Sequence, residues 1–203
     1  MELAEIAGTV VFAISGVFAV AGRRLDWFGA IVVGMVTAIG GGTMRDLILG
    51  NTPVFWVDDQ DQLLAALLGS IAAILIIRFT RRDAGRFEYG LKLADGAGLA
   101  LFAVVGANVT LDLGYDPEIA ALCGVLTGVG GGVIRDLLAG QTPLIMRSEI
   151  YATAALAGVA IFVGLEEWTS LPQLLNSAVS MLVIFGLRLA GIRLGWKLPL
   201  LSH

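Results

Sequence analysis

The fourteen residues GGGTMRDLILGNTP at positions 40–53 return at 130–143 as GGGVIRDLLAGQTP, an offset of ninety with no gap between the registers. The same offset pairs Ala7 and Gly8 with Ala97 and Gly98, Phe12 and Ala13 with Phe102 and Ala103, Gly16 with Gly106, Gly34 with Gly124, and Thr37 with Thr127. Such a chain is built from two copies of one unit, each holding two apolar segments and a glycine-rich interruption. The third segment of each unit matches poorly, so the symmetry rests on the first two. Composition fixes the solvent: 57% hydrophobic and 15% charged residues in 203 leave more apolar surface than one soluble core hides, so the chain belongs in a bilayer.

Seven apolar runs, at 3–21, 27–50, 63–79, 91–110, 119–139, 150–165 and 174–191, have the length that crosses about 30 Å of hydrocarbon. A barrel would show short alternating segments instead. Between the runs and near their ends, Arg23, Arg24, Arg78, Arg81, Arg82, Arg86, Lys92, Arg147, Arg188, Arg193 and Lys197 fall on one side of a seven-span arrangement. The other side carries Glu2, Glu5, Asp58, Asp59, Asp61, Asp112, Asp116, Glu118, Glu166 and Glu167. The positive-inside rule then puts the N-terminus outside and the C-terminus in the cytoplasm of a multi-pass cell-membrane protein. The N-terminus shows neither a basic n-region nor a cleavage site, so the first run is expected to stay as a span.

Because three crossings separate the starts of the two copies, the copies are inverted. The expected fold is an all-α membrane protein of seven transmembrane helices, an inverted repeat of three plus three helices with an added seventh. It forms a single membrane domain over 1–203: first repeat 1–90, second repeat 91–170, seventh helix and cytoplasmic tail 171–203. Inverted repeats with interrupted helices recur in proteins that pass solutes, since the broken helices bare backbone groups to a polar cavity.

Each triplet, Gly40, Gly41 and Gly42 or Gly130, Gly131 and Gly132, costs a helix about 1 kcal/mol per glycine relative to alanine. An arginine near the bilayer centre adds about 2.5 to 3.5 kcal/mol. Helix stability did not select these residues. Either the glycines loosen the hydrogen-bond ladder, kinking spans two and five and freeing carbonyls for a partly dehydrated cation, or they let a neighbouring helix approach closely. Asp46 and Asp136 are expected in the opening turn of a trailing half-helix, where the dipole favours an anion. Arg45 and Arg135 precede them; each shapes the field at a pore mouth, holds a gate by hydrogen bonds, or snorkels to the nearest interface. Pairing of Arg45 with Asp136 is not expected, because Arg45 lies about 27 Å along its span and Arg135 is similarly far along an oppositely directed one.

Thr37 and Thr127 stand three residues before each triplet and are candidate pore or hinge residues. Ser15, Asn108, Thr153 and Ser180 are weaker candidates for a polar path, since such side chains also cement helix packing. Glu5 and Asp95 match as acids at the mouths of spans one and four. Thr52-Pro53 and Thr142-Pro143 end helices. The net charge of −4 without a basic stripe argues against nucleic acid. Cys123, the one cysteine, reads as a buried small hydrophobe, and neither a metal nor a cofactor is expected. His203 is the one histidine, and no nucleophile and base recur together in a span, so an enzyme is not expected.

The paired GGGxxRDxxxGxTP elements in a seven-span chain resemble the prokaryotic branch of the trimeric intracellular cation (TRIC) channels, over nearly the whole length. The resemblance implies a homotrimer in membrane lipid, one pore per protomer, kinks at the two triplets, and passage of monovalent cations, chiefly potassium and also sodium. The lysine-bearing motif of animal members is not matched, since Arg45 and Arg135 occupy the basic positions, so lipid or calcium regulation does not carry over. A secondary transporter of a small zwitterion such as glycine is the rival reading. A structural subunit, suggested by small-residue packing at Gly124 and Gly128, leaves the doubled arginine unexplained.

Overall fold

The computed structural model describes residues 2–23, 25–80, 84–147 and 150–196. Arg24, Arg81, Arg82, Lys197 and His203, and the side chain of Arg86, lie outside the described residues. Eight α-helices are found among the described residues: α1 Glu2–Ala19, α2 Trp27–Leu49, α3 Phe55–Asp58, α4 Gln60–Phe79, α5 Ala84–Asp112, α6 Pro117–Leu138, α7 Ala152–Trp168 and α8 Gln173–Leu194. A single 3-10 turn, Leu144–Met146, follows α6. Seven helices coincide with the seven apolar runs; α3, a four-residue helix, was not expected. Six of them (α1, α2, α4, α5, α6 and α8) are long and apolar enough to cross a membrane. The 17 residues of α7 reach about 25 Å, at the short end of what a bilayer needs.

Local chemistry sets the helix ends. The Asp26 carboxylate accepts the Gly29 N–H at 2.7 Å and starts α2. At the other end Gly50 adopts φ 67°, and Gly140 adopts φ 61° just after α6, a conformation glycine enters without a Cβ penalty. The next residue closes each end in the same way: the N–H of Asn51 donates to the Asp46 carbonyl and that of Gln141 to the Asp136 carbonyl, both at 2.8 Å.

The interior is built of small apolar residues with polar side chains set among them, and large apolar side chains cover the exterior, as expected of a protein whose solvent is lipid. Trp27, Phe28, Leu68, Leu122, Leu174 and Leu182 face outward, whereas Thr9, Gln62, Asp95, Asn176 and Ser180 are buried. The most enclosed long helix, α5, packs against α1, α6, α7 and α8.

Contacts also exchange under the ninety-residue offset. Within each copy, a Cβ on Gly34 would meet the Ala13 carbonyl at 3.0 Å, and one on Gly124 the Ala103 carbonyl at 2.6 Å. Between copies, Gly8 abuts the ring of Phe102 and Gly98 that of Phe12, and the two rings stack with centroids 5.3 Å apart.

Candidate functional site

The two triplets meet. A Cβ on Gly41 would collide with the Thr127 carbonyl oxygen and one on Gly131 with the Thr37 carbonyl oxygen, while a Cβ on Gly130 would lie 3.3 Å from the Gly41 Cα. All six glycines are buried where α2 crosses α6 backbone to backbone. Thr37 and Thr127 point their hydroxyls back along their own helices, donating to the carbonyls of Val33 and Cys123 at 2.6 Å. Both threonines are fully buried, packed over Gly16 and Gly106.

Helical structure runs unbroken through both triplets. The expectation of half-helices is corrected accordingly: Asp46 and Asp136 lie in the last turns of α2 and α6, at the negative dipole ends. An aspartate there is disfavoured by the dipole. Other groups hold it: Asp46 Oδ2 accepts the Phe55 N–H at 2.9 Å and Asp136 Oδ2 accepts the Leu144 N–H at 2.8 Å. The adjacent arginine supplies the rest, with Nε donating to the aspartate Oδ1 at 2.9 Å in both copies. Each aspartate therefore pairs with its own neighbour, not across the crossing.

Beyond that shared pattern the sites diverge. Around Arg45, the ring of Phe55 lies over the guanidinium at 5.8 Å and fills the space above Gly42. Trp56 Nε1 donates to Thr43 Oγ1 at 2.9 Å, fastening α3 to α2. Nearby, Thr9 Oγ1 donates to Gln62 Oε1 at 2.7 Å, and Glu5 remains half-buried. Arg135 sits in a denser cluster. Its Nη1 donates to Asp95 Oδ1 and to Ser15 Oγ, each at 2.6 Å, and the Tyr151 hydroxyl donates to the same Asp95 oxygen at 3.2 Å. Arg135 and Asp95 are both at 0% exposure, so Asp95 is a buried partner, not a mouth acid in solvent. Asp95 Oδ2 and Arg135 Nη2 are enclosed without a hydrogen-bond partner among the described residues.

Sequence reasoning missed two members of this neighbourhood. Tyr151 carried no signal, standing at the start of the apolar run 150–165 and immediately before α7. Arg188 was counted with the basic residues outside the membrane core; it is instead fully buried within α8, its guanidinium 4.8 Å from the centre of the Tyr151 ring. Of the weaker polar candidates, Ser15 joins the Arg135 cluster, Asn108 donates to Asp112 at 2.7 Å, Ser180 donates to Asn176 at 3.4 Å, and Thr153 is exposed. Cys123 is buried.

A family model described as "Glycine transporter" matches residues 2–78 and 92–167. The "UPF0126 inner membrane protein YadS" of Escherichia coli (strain K12) is 44% identical over 195 residues, 96% of this chain and 93% of that one. Among solved structures, a "TRIC trimeric intracellular cation channel orthologue from Rhodobacter sphaeroides" superposes with a TM-score of 0.88 at 39% identity, covering 96% of this chain and 97% of that chain. A structure described as "Structural basis for conductance through TRIC cation channels" gives a TM-score of 0.85 at 32% identity over 100% of this chain and 98% of that one.

Proposed function

We propose that this chain, which belongs to the prokaryotic TRIC channel family, is a passive cation channel that carries monovalent cations, chiefly potassium and also sodium, across the cell membrane. The observation that carries the reading is the agreement of the whole fold with a cation channel orthologue, at a TM-score of 0.88. In the proposed protein each protomer of a homotrimer encloses its own pore, and lipid covers the outward leucines. The reciprocal contacts at the ninety-residue offset support an inverted repeat of 1–90 and 91–170, with α8 as the added seventh span. The charge asymmetry of the loops supports an outer N-terminus and a cytoplasmic C-terminus.

Backbone meets backbone at Gly41 and Gly131, and in the proposed channel this crossing is the shut gate. Conduction therefore requires α2 and α6 to bend at the glycines and part, exposing the carbonyls of Thr37 and Thr127. Glycine serves such a motion twice, by permitting the close contact and by weakening resistance to bending. Of the two arginine clusters, that of Arg135 is the lock. A buried ionic network left partly unsatisfied stabilises poorly but holds one arrangement until its partners separate. That is the behaviour of a switchable contact.

A carrier for a small zwitterion is the second reading, favoured by the description of the matching family model. Proteoliposomes separate the two. Passive potassium efflux that does not saturate and is indifferent to glycine supports the channel; saturable glycine uptake without potassium leak overturns it.

A further inference from the structure

The gate cluster receives a side chain from outside the duplicated unit. Arg188 lies on α8, and its aliphatic stem crosses α5 at Gly96, next to Asp95: a Cβ on Gly96 would come within 2.9 Å of the Arg188 Cγ. From there the guanidinium reaches the face of the Tyr151 ring at 4.8 Å, and Nη1 donates to the Ile150 carbonyl at 3.3 Å. It thereby holds both the backbone just before Tyr151 and the ring itself. The Tyr151 hydroxyl, so placed, donates to the Asp95 oxygen that also accepts from Arg135.

Two further observations set Arg188 apart from a helix-packing residue. A buried arginine in a membrane helix is costly, and a leucine would fill an apolar contact at none of that cost. The formal charges of the cluster also balance only when Arg188 is counted: Arg135 pairs with both Asp95 and Asp136, and Arg188 lies over the ring of Tyr151, whose hydroxyl is bound to Asp95. The buried face of α8 is polar along its length, with Asn176, Ser177 and Ser180 ahead of Ile184 and Arg188. Asn176 donates to the Phe162 carbonyl and to Glu166 Oε2, both at 2.9 Å, fixing α8 to α7, the helix that Tyr151 precedes.

We propose that Arg188 is a positioning residue for the gate: it sets the Tyr151 hydroxyl against Asp95 and thereby couples α8 to the Arg135 lock. The inference rests on the channel reading above. Cation attraction to an aromatic face and a hydrogen bond to a backbone carbonyl are contacts through which it acts. In this reading Arg188 acts through Tyr151 and Asp95, which lie against Gly132, and so affects how often the pore opens and not what passes.

Single-channel recordings of the full-length protein in planar bilayers test this with Arg188→Gln, Tyr151→Phe and the double variant. Each single variant is expected to raise the ratio of open to shut time about five- to tenfold, the scale of a modest coupling between sites. The double variant matches either single one, with unit conductance and reversal potential unchanged throughout. Arg188→Lys, which keeps the charge and one donor, recovers much of the shut time. Should Arg188→Gln fail to assemble, Arg188→Met, which keeps the aliphatic stem and removes the charge and donors, combined with Tyr151→Phe gives the same cycle. Multiplying effects in the double variant, an indifferent Arg188→Gln, or a changed conductance would each overturn the inference while leaving the channel reading intact. A wild-type protein that passes no cations would overturn both.

Discussion

Arg135 and Asp95, forty positions apart in the chain, meet at 2.6 Å with neither side chain exposed. No stretch of local sequence encodes that meeting; it exists because α6 and α5 lie side by side in the bundle. Replacing Asp95 by asparagine removes one of the two carboxylates paired with Arg135 and leaves the buried cluster with excess positive charge. Breaking a buried pair in this way costs about 3 to 5 kcal/mol. Thermal unfolding in detergent should show a clearly lowered midpoint, and bilayer recordings a raised open fraction. A variant with wild-type stability and gating would mean that the pair does not hold the pore shut.

The glycine crossing predicts a matched pair of effects. Gly41→Ala and Gly131→Ala each force a methyl onto a carbonyl of the opposite copy. Overpacking of this kind costs about 1 to 3 kcal/mol, and both variants should alter gating alike. Gly186→Ala is the control, since nothing lies within 4 Å of a Cβ there. It should be neutral or stabilise by up to about 1 kcal/mol through helix propensity. Similar behaviour of all three variants would remove the crossing from the mechanism.

The two arginines should not be equivalent. Arg45 pairs with Asp46 beneath Phe55, whereas Arg135 engages two carboxylates and the Ser15 hydroxyl. Arg135→Gln is therefore expected to destabilise by at least about 2 kcal/mol more than Arg45→Gln, because two buried carboxylates lose their charge partner. Chemical or thermal denaturation of the purified variants measures the difference. Equal losses would show that the extra partners contribute little.

Orientation is testable by fusion reporters. A fluorescent protein joined at the C-terminus should glow, and a phosphatase joined there should stay inactive, if that end faces the cytoplasm. The opposite pattern would reverse the positive-inside assignment.

Much of the bundle was legible in the chain because hydropathy and repeat spacing are local signals. The seven apolar runs became seven helices, and the doubled GGGxxRD elements marked the place where the copies touch. Two readings failed for a shared physical reason. The triplets left two readings open, a loosened ladder or close approach of a neighbouring helix, because propensity counts the glycine backbone as exposed and not as packed; the opposing helix does pack into each triplet, and helical structure continues through it. Asp46 and Asp136 consequently moved from a helix start to a helix end. Arg188 read as an interfacial charge since nothing within α8 reveals that Gly96, on another helix, opens space for its stem. Tyr151 and Asp95 likewise acquire their roles only through partners distant in sequence. The pairing of Gly96 with a buried arginine is a tertiary signal, and single-sequence periodicity does not carry it.

Recording the purified protein in a planar bilayer under a potassium chloride gradient tests the central claim most directly. The account predicts discrete ohmic steps that reverse close to the potassium equilibrium potential. Steps that reverse toward the chloride potential, or a silent bilayer from protein that accumulates glycine in vesicles, would contradict it.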